Sequence, residues 1–153
     1  KVTQTHEMGR IVNVGGGATR QDSVYNGLMC VTEEIVLVHD AARPYCTMDL
    51  IDELLKAMET EQAAFLAVDV KDTVKEVKDG YVVKTINREF LSNAQTPQAF
   101  KTSLLLECIH QAQEENFKAT DDAQLIERYS NVPIKVVKGS YDNIKITTPE
   151  DIK

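Results

Sequence analysis

A chain of 153 residues has the size of one domain and is long enough to bury roughly 68–70% of its unfolded surface. Its net charge of −7 argues against a nucleic-acid polymer as partner, because no basic stripe is available to neutralise phosphates. The three cysteines have no paired spacing and indicate reduced thiols in a cytoplasmic protein, and no apolar run approaches the ~18 residues of a membrane span.

The first half of the chain alternates apolar runs of strand length with amphipathic helical patterns. The predicted elements are, in order, a strand at Ile11–Val14, a helix at Gln21–Met29, a strand at Ile35–Val38, a helix at Thr47–Thr60 and a strand at Ala63–Val70. The third of these is apolar throughout, which is typical of a strand buried on both faces. The alternation predicts βαβ units and an α/β fold with a largely parallel sheet.

The pattern changes after Val70, where a turn joins two strand-like runs. Thr73–Val77 and Tyr81–Ile86 flank Lys78-Asp79-Gly80, and Asp-Gly between such runs is a strong hairpin signal. A hairpin made largely of Lys and Glu has few core residues and is marginal alone, so we expect it to lean on another chain. Asn93–Gln95 is then predicted to return to the sheet.

The second half of the chain returns to helical and strand patterns. They comprise helices at Ser103–Glu115 and Thr120–Tyr129, a buried strand at Ile134–Val137 and an extended segment at Ile144–Thr147. Thr120 suits the cap of the second helix. Thr148-Pro149-Glu150-Asp151 combines a cap, a proline at the first helical position and acids in the first turn, so it predicts a helix start. Because the sequence stops at Lys153, we expect the chain to be incomplete at that end.

An acid and a guanidinium follow the strand Ile35–Val38. The strand runs into His39-Asp40, with Arg43-Pro44 close behind, where open α/β sheets bind their ligands. The carboxylate of Asp40 suits Mg²⁺, and the planar fork of Arg43 suits a phosphate. A surface turn whose Asp caps the next helix, or an Asp40–Arg43 ion pair, would also fit. His39 has no Ser or Cys partner pattern, so we assign it a hydrogen-bonding role at the strand end.

Six stretches of the chain together carry a resemblance to a known family. They are Gly16-Gly17-Ala18-Thr19-Arg20-Gln21-Asp22-Ser23-Val24, His39-Asp40-Ala41-Ala42-Arg43-Pro44, Val70-Lys71-Asp72-Thr73-Val74-Lys75, Gln95-Thr96-Pro97-Gln98-Ala99-Phe100, Thr120-Asp121-Asp122-Ala123 and Asp142-Asn143-Ile144-Lys145-Ile146-Thr147. In this order they resemble the 2-C-methyl-D-erythritol 4-phosphate cytidylyltransferases of the non-mevalonate isoprenoid pathway. The family's Gly-rich triphosphate loop, followed by Pro-Lys-Gln, has no counterpart here, and the chain begins at Lys1 without Met. We therefore expect one α/β nucleotidyltransferase domain over residues 1–153, incomplete at both ends and inactive as it stands.

The resemblance implies a fold and an activity. The fold would be a doubly wound, mostly parallel sheet of the nucleotide-diphospho-sugar-transferase type, with residues 72–95 forming a β-arm for dimerisation. The activity would be transfer of CMP from CTP to 2-C-methyl-D-erythritol 4-phosphate, with release of pyrophosphate and a requirement for Mg²⁺. The implied partners are CTP, a polyol phosphate and a second copy of the chain in the cytoplasm, without nucleic acid or membrane.

The same resemblance assigns roles to residues that would face the phosphates. Asp40 would hold the metal and orient the acceptor, Arg43 would grip a phosphate, and Lys145 would face the α-phosphate and stabilise the transition state. By pattern alone, a lysine in a surface strand is usually solvated, so the role of Lys145 depends on the family.

Further roles concern the acceptor. Thr73 and Thr96 match family positions near it, where their hydroxyls can donate to phosphate or sugar oxygens. Arg88 would reach the acceptor phosphate of the other subunit, and the alternative for Arg88 is an ion pair with Glu89 or Glu76.

The nucleotide side of the implied site comprises Gly17, Ala18, Ser23 and Ala41. Backbone groups at Gly17 and Ala18 would read the base edge, because a side chain there would be in the way. Ser23 would lie in the first turn of a helix, near free backbone N–H groups. Without the resemblance, the glycines would be interpreted as a flexible turn.

Two other functions fit part of the pattern. A ribitol-5-phosphate cytidylyltransferase has the same fold and chemistry, but Ala41-Ala42 and Val70-Lys71-Asp72-Thr73 favour the isoprenoid enzyme. A non-catalytic dimerising module would account for the missing loop. That interpretation is opposed by the retained Asp40, Arg43, Arg88 and Lys145, because a scaffold needs none of them.

Overall fold

A computed structural model describes residues 11–152 of the chain. The elements are α1 (Arg20–Leu28), β1 (Ile35–Val38), α2 (Met48–Ala57), β2 (Ala63–Asp69), β3 (Val74–Lys78), β4 (Tyr81–Ile86), β5 (Ser92–Lys101), α3 (Thr102–Glu115), α4 (Asp122–Tyr129) and β6 (Lys135–Lys138), with short 3₁₀ turns at Arg88–Phe90 and Pro149–Asp151. Residues 1–10 and the chain end at Lys153 lie outside this range, and with them the two ends of the predicted domain.

The central sheet has the strand order β1-β5-β2-β6. Strands β1, β2 and β6 point the same way, and β5 runs antiparallel to both of its neighbours. The predicted α/β class with a mostly parallel sheet is confirmed. The sequence predicts only the return of the chain at Asn93–Gln95, whereas β5 is a ten-residue strand in the middle of the sheet.

Helices cover both faces of this sheet, as a doubly wound fold requires. Successive strand residues point to opposite faces. Ala63 and Phe100 therefore pack against α1, α3 and α4, while Ala64 and Ala99 pack against α2. The largest buried side chain is Phe100, which is 0% exposed and lies beside Leu105 and Leu125.

Three predicted strands differ in the structure. The strand predicted as buried at Ile134–Val137 forms β6, Lys135–Lys138, which is mostly exposed because it lies at the edge of the described sheet. Ile35–Val38 forms β1, but its residues are only half-buried, because within residues 11–152 this strand has a single neighbour, β5. Ile11–Val14 forms no strand and is exposed. The segment Ile144–Thr147 likewise has no sheet partner within the described range.

Two helix starts test the predicted caps. The cap of α4 is Asp121, whose side chain accepts a hydrogen bond from the Gln124 N–H at 2.9 Å, so the prediction of Thr120 as the cap is wrong. Thr148 does cap the turn at Pro149–Asp151, as predicted.

The predicted hairpin is formed by β3 and β4, and we call this pair the arm. Its turn residues Asp79 and Gly80 have φ values of 51° and 83°, and such a turn of two positive-φ residues matches the twist of the strands. The arm forms a separate two-stranded sheet. Its apolar side chains lie open to solvent, with Tyr81 79%, Val82 61% and Val83 54% exposed.

Among the helices of residues 11–152, none combines the length and apolar character that crossing a bilayer requires.

Candidate active site

The end of β1 is fixed by a chain of hydrogen bonds that runs through His39. Thr96 Oγ1 accepts from the Asp40 backbone N–H at 3.0 Å and contacts His39 Nδ1 at 2.9 Å, while His39 Nε2 contacts the Arg43 carbonyl at 3.0 Å. Because a carbonyl only accepts, Nε2 carries the proton and Nδ1 accepts from the Thr96 hydroxyl. The Arg43 N–H closes a turn on the Asp40 carbonyl at 2.9 Å. The backbone beneath Asp40 is therefore held from both sides.

The Asp40 carboxylate faces three cationic side chains. Its Oδ2 lies 3.2 Å from Lys145 Nζ and 3.9 Å from Arg43 Nε, and its Oδ1 lies 3.6 Å from a terminal nitrogen of Arg20. The Asp40 side chain is 18% exposed, so these charges attract one another in a partly desolvated setting. Three cations around one carboxylate can hold more negative charge than that carboxylate supplies.

Arg20 is fixed by a second carboxylate, which lies deeper in the protein. Its two terminal nitrogens donate to Asp122 Oδ2 at 2.9 Å and Oδ1 at 3.2 Å, and the Asp122 side chain is only 1% exposed. Burial raises the pKa of Asp122, and the hydrogen bonds and charge of Arg20 offset that effect only in part. For Arg20, burial opposes the charged form, but Asp122 and then Asp40 outweigh it and raise the guanidinium pKa.

The loop before Lys145 is tied to the same strand ends. Asn143 is fully buried; its side-chain N–H donates to the Thr96 carbonyl at 2.9 Å, and its own carbonyl accepts from Arg43 at 2.7 Å. The Ile146 N–H donates to the Ala42 carbonyl at 2.8 Å. These ties lie on either side of Lys145, whose own side chain is 48% exposed. The backbone of the loop is thus fixed while its lysine head keeps contact with solvent.

These side chains surround an open cleft of about 260 Å³, which we call the Asp40 cleft. It is lined by Arg20, Asp40, Arg43, Ala94, Gln95, Thr96, Gln98, Thr120, Asp121 and Lys145. The structure therefore brings together four residues that the sequence predicts for a site, namely Asp40, Arg43, Thr96 and Lys145.

Three of the predicted nucleotide-side residues, Gly17, Ala18 and Ser23, lie at the start of α1, and neither they nor Ala41 line this cleft. The Gly17 N–H donates to Ser23 Oγ at 2.9 Å, and that hydroxyl donates to the Thr19 carbonyl at 3.0 Å. Ala18 lies within the same turn, one residue before the cap Thr19. Ala41 follows Asp40 directly and is exposed.

Thr73 and Arg88 lie at the base of the arm, and neither lines the Asp40 cleft of this chain. Both are exposed, and Arg88 donates to the Lys71 backbone carbonyl. Glu76, one of the alternative partners for Arg88, is instead paired with Lys84 at 3.3 Å.

Six further polar residues belong to the cleft or its wall, and the sequence reasoning assigns them no site role. They are Arg20, Gln95, Gln98, Thr120, Asp121 and Asp122. The signal was present, because Arg20 and the Thr120-Asp121-Asp122 run lie within the quoted motifs. In the sequence the two acids indicate only favourable charges at the positive end of a helix.

Fold and site together define an α/β protein whose ligand cleft lies at the carboxyl ends of its parallel strands and is lined by cations around one carboxylate. The family model described as 2-C-methyl-D-erythritol 4-phosphate cytidylyltransferase matches residues 2–153 of the chain. The chain therefore belongs to the 2-C-methyl-D-erythritol 4-phosphate cytidylyltransferase family.

Individual relatives agree with this assignment. A protein of that name from Bacillus thuringiensis (strain Al Hakam) is 52% identical over 140 residues, which cover 91% of this chain and 62% of the relative. One from Aquifex aeolicus (strain VF5) is 46% identical, over 94% of this chain and 67% of the relative. The crystal structure of the Francisella tularensis protein superposes with a TM-score of 0.84 and 39% identity, over 97% of this chain and 71% of that one. The chain thus spans about three fifths of the length of the Bacillus relative.

Proposed function

We propose that this chain supplies most of the active site of an enzyme that transfers CMP from CTP to 2-C-methyl-D-erythritol 4-phosphate and releases pyrophosphate. The observation that carries the proposal is the Asp40 cleft, where Lys145, Arg43 and Arg20 converge on one carboxylate at the end of β1. The names of the relatives supply the substrates, and the family assignment connects the cleft with them.

The reaction brings together two anions, the acceptor phosphate and the α-phosphate of CTP. An acceptor phosphate oxygen attacks the α-phosphorus, the bond to the bridging oxygen breaks, and pyrophosphate leaves. Positioned cations must offset the charge on the transferring group. Lys145 is suited to this work because its head is half exposed and, within residues 11–152, its only ion pair is with Asp40. Arg43 is suited to hold a phosphate, because its backbone and its Nη1 are already anchored.

Asp40 is the proposed metal ligand. Residues 11–152 contain no group of three metal-ligating side chains, so a divalent cation here would need further ligands from substrate phosphates and water. That arrangement is the usual one for Mg²⁺, which binds one or two carboxylates and keeps several waters. When bound, the metal would withdraw charge from the phosphate oxygens. The donor set therefore fits Mg²⁺ with CTP better than a metal held by protein alone.

The acceptor side is proposed to use Thr73 and Arg88 across a dimer interface. Thr96 of this subunit would support the site through the backbone of Asp40, because its hydroxyl already donates to His39 Nδ1. Support comes from the position of Arg88, which is exposed at the arm base and does not line the cleft of its own chain. The arm presents exposed Tyr81 and Val82, and a second copy of the chain would remove these side chains from water.

The cytosine and ribose are assigned to the backbone at Gly17 and Ala18, to Ser23 and to Ala41. Gly17 lies in the loop before α1 and Ser23 in its first turn, both close in sequence to Arg20, whose guanidinium lines the cleft. A nucleotide spanning from this turn to Lys145 would place its phosphates among the cations. We place this reaction in the cytoplasm, in the supply of isoprenoid precursors.

The test uses the full-length protein that contains this chain. Purified enzyme, Mg²⁺ and CTP are mixed with 2-C-methyl-D-erythritol 4-phosphate or with ribitol 5-phosphate, and pyrophosphate release is followed. We expect rapid release only with the first acceptor and its loss in Asp40→Asn. Faster turnover with ribitol 5-phosphate would reassign the substrate, and no release with either acceptor in a folded protein would refute the proposed activity.

A mixed-dimer experiment tests whether Arg88 acts in the neighbouring subunit. Asp40→Asn and Arg88→Ala are each expected to be inactive. If Arg88 acts across the interface, a mixed dimer has one site with both defects and one with neither, so mixing the two proteins restores part of the activity. If both residues serve the same site, no activity returns even after subunit exchange has been demonstrated with labelled protein.

A further inference from the structure

The two oxygens of the Asp40 carboxylate have different partners. Oδ1 faces Arg20 at 3.6 Å, whereas Oδ2 faces Lys145 at 3.2 Å and Arg43 at 3.9 Å. The proposed chemistry needs Lys145 to act on the α-phosphate, so its contact with Oδ2 has to be broken when substrate binds. Two cations then remain near the carboxylate, Arg43 at 3.9 Å from Oδ2 and Arg20 at 3.6 Å from Oδ1, and only Arg20 faces the oxygen that Lys145 does not contact.

Arg20 is the cation that cannot leave easily. Both of its terminal nitrogens are engaged by Asp122 in a two-point contact at 2.9 and 3.2 Å. Such a fork fixes the plane of the guanidinium as well as its position. Asp122 is 1% exposed, and leaving a buried carboxylate without its partner is costly, so the contact is maintained.

Asp122 is itself fixed through its neighbours at the start of α4. Gln98 on β5 is 1% exposed. Its side-chain amide donates through Nε2 to Asp121 Oδ2 at 3.0 Å and accepts at Oε1 from the Ala123 backbone N–H at 3.0 Å. The residues on both sides of Asp122 are therefore tied to the middle strand of the sheet. A continuous path leads from β5 through Asp122 and Arg20 to Asp40.

We propose that Arg20 and Asp122 are positioning residues, which hold the Asp40 carboxylate by Oδ1, so that Oδ2, with Arg43 as its remaining cation, keeps its orientation for catalysis when Lys145 turns to the substrate. This inference depends on the proposed function for the role of Asp40. The path joins residues on α1 and α4 that are 102 positions apart in sequence. In this arrangement the Asp40 carboxylate has a fixed cation, Arg20, on one oxygen and a mobile cation, Lys145, on the other.

The kinetic test uses Arg20→Lys and Asp122→Asn in the full-length enzyme. Arg20→Lys keeps the positive charge but loses the two-point contact of the guanidinium. Asp122→Asn keeps the shape of the side chain but loses its negative charge. We expect each to lower kcat about 10- to 100-fold, the usual range for groups that orient a site residue, while the KM for CTP changes less than about threefold. The double variant should be little worse than the poorer single variant, because both break one path.

Arg128→Lys is the matched control. Arg128 also lies on α4 and pairs with an acid, Glu115, at 3.2 Å, but it does not line the Asp40 cleft. Its kcat should stay near that of the parent. If Arg20 and Asp122 only tie two helices together, their variants, like Arg128→Lys, will lower the melting temperature. The kcat of the folded fraction will then equal that of the parent. That result would overturn the proposal, as would fully multiplicative effects in the double variant.

A second measurement does not depend on activity. Crystal structures of the full-length parent and of Arg20→Lys, without substrate, will show whether the carboxylate turns about its Cβ–Cγ bond. We expect a changed orientation in the variant and an unchanged one in Arg128→Lys. An Asp40 carboxylate that keeps its orientation would refute positioning even if the parent proved inactive toward CTP. An inactive parent with a reoriented carboxylate would refute the proposed function and leave the positioning role supported.

Discussion

Substituting Gly17 by alanine tests how closely the loop before α1 approaches the helix. A Cβ on Gly17 would lie 2.4 Å from the Cβ and 2.8 Å from the carbonyl carbon of Asp22. Both atoms belong to a helical turn, so no side-chain rotation can relieve the overlap. The loop has to move, and the hydrogen bond from the Gly17 N–H to Ser23 Oγ at 2.9 Å is lost.

The size of the effect follows from these contacts. An added methyl group without space typically costs 1–3 kcal/mol, and a lost hydrogen bond costs about 0.5–1.5 kcal/mol. Alanine restricts the unfolded chain and returns about 0.4–1 kcal/mol. We therefore expect Gly17→Ala to lower the free energy of unfolding by about 1–3 kcal/mol, which corresponds to about 2–12 °C in melting temperature for a protein of this size.

Two neighbouring glycines provide controls within the same loop. A Cβ on Gly15 meets nothing within 4 Å, and one on Gly16 meets only Ser23 Oγ at 3.5 Å, which is an ordinary contact. Urea and thermal unfolding should place Gly15→Ala and Gly16→Ala within about 0.5 kcal/mol of the parent. Equal stability of all three variants would show that the close approach at Gly17 does not constrain the fold.

Three further predictions concern single side chains. Lys145→Ala in the full-length enzyme should lower kcat by about 10²–10³ with little change in the KM for CTP, and a change in KM alone would make Lys145 a binding residue. A thiol reagent at pH 8 should label Cys30 quickly and Cys108 only after unfolding, because Cys108 is buried and burial, with the charge of Glu107, raises its pKa to about 11; rapid native labelling at Cys108 would contradict its burial. A hydrogen bond from Thr19 lowers the pKa of Asp22, so the stability it provides is present above about pH 4 and is lost as pH falls through the lower native pKa; Asp22→Asn should unfold with a flatter acid dependence, measured by melting temperature from pH 5 to 2.

The sequence predicts the helices and parallel strands well, because their apolar residues recur with the period of each element. It fails at β5, whose buried positions include Gln95, Thr96 and Gln98. Polar residues in the middle of a sheet look like a loop until their partners are known. Here those partners come from distant segments, such as Ser140, which accepts a hydrogen bond from Gln95, and Asp121, which accepts one from Gln98.

The candidate site can likewise be predicted where its residues follow a local apolar pattern, and not where it depends on contacts between distant segments. Asp40 and Arg43 are visible because both follow one apolar run, at the place where α/β folds bind ligands. The family resemblance adds Lys145. The contact of Arg20 with Asp122 cannot be seen in the same way, because it requires α1 and α4 to be neighbours across 102 residues. The role of Gly17 at the base edge stays a prediction; the structure adds that the helix turn at Asp22 excludes a side chain there.

Under the proposed function, the charges of the Asp40 cleft explain how an acidic protein would select an anionic ligand. Arg20, Arg43 and Lys145 line the cleft together with the carboxylates of Asp40 and Asp121, so most of the positive charge is already neutralised before a ligand arrives. Free polyanions gain little from such a surface, which agrees with a net charge of −7. A ligand that fits the cleft can form a new ion pair with Lys145. The existing pair of the half-exposed Lys145 with Asp40 breaks easily, because such a pair is worth only about 0–1 kcal/mol. The pair of Arg20 with the buried Asp122 does not break in this way. Selectivity among anionic ligands would therefore come from the release of Lys145 from a fixed Asp40 carboxylate, and not from a permanently positive surface.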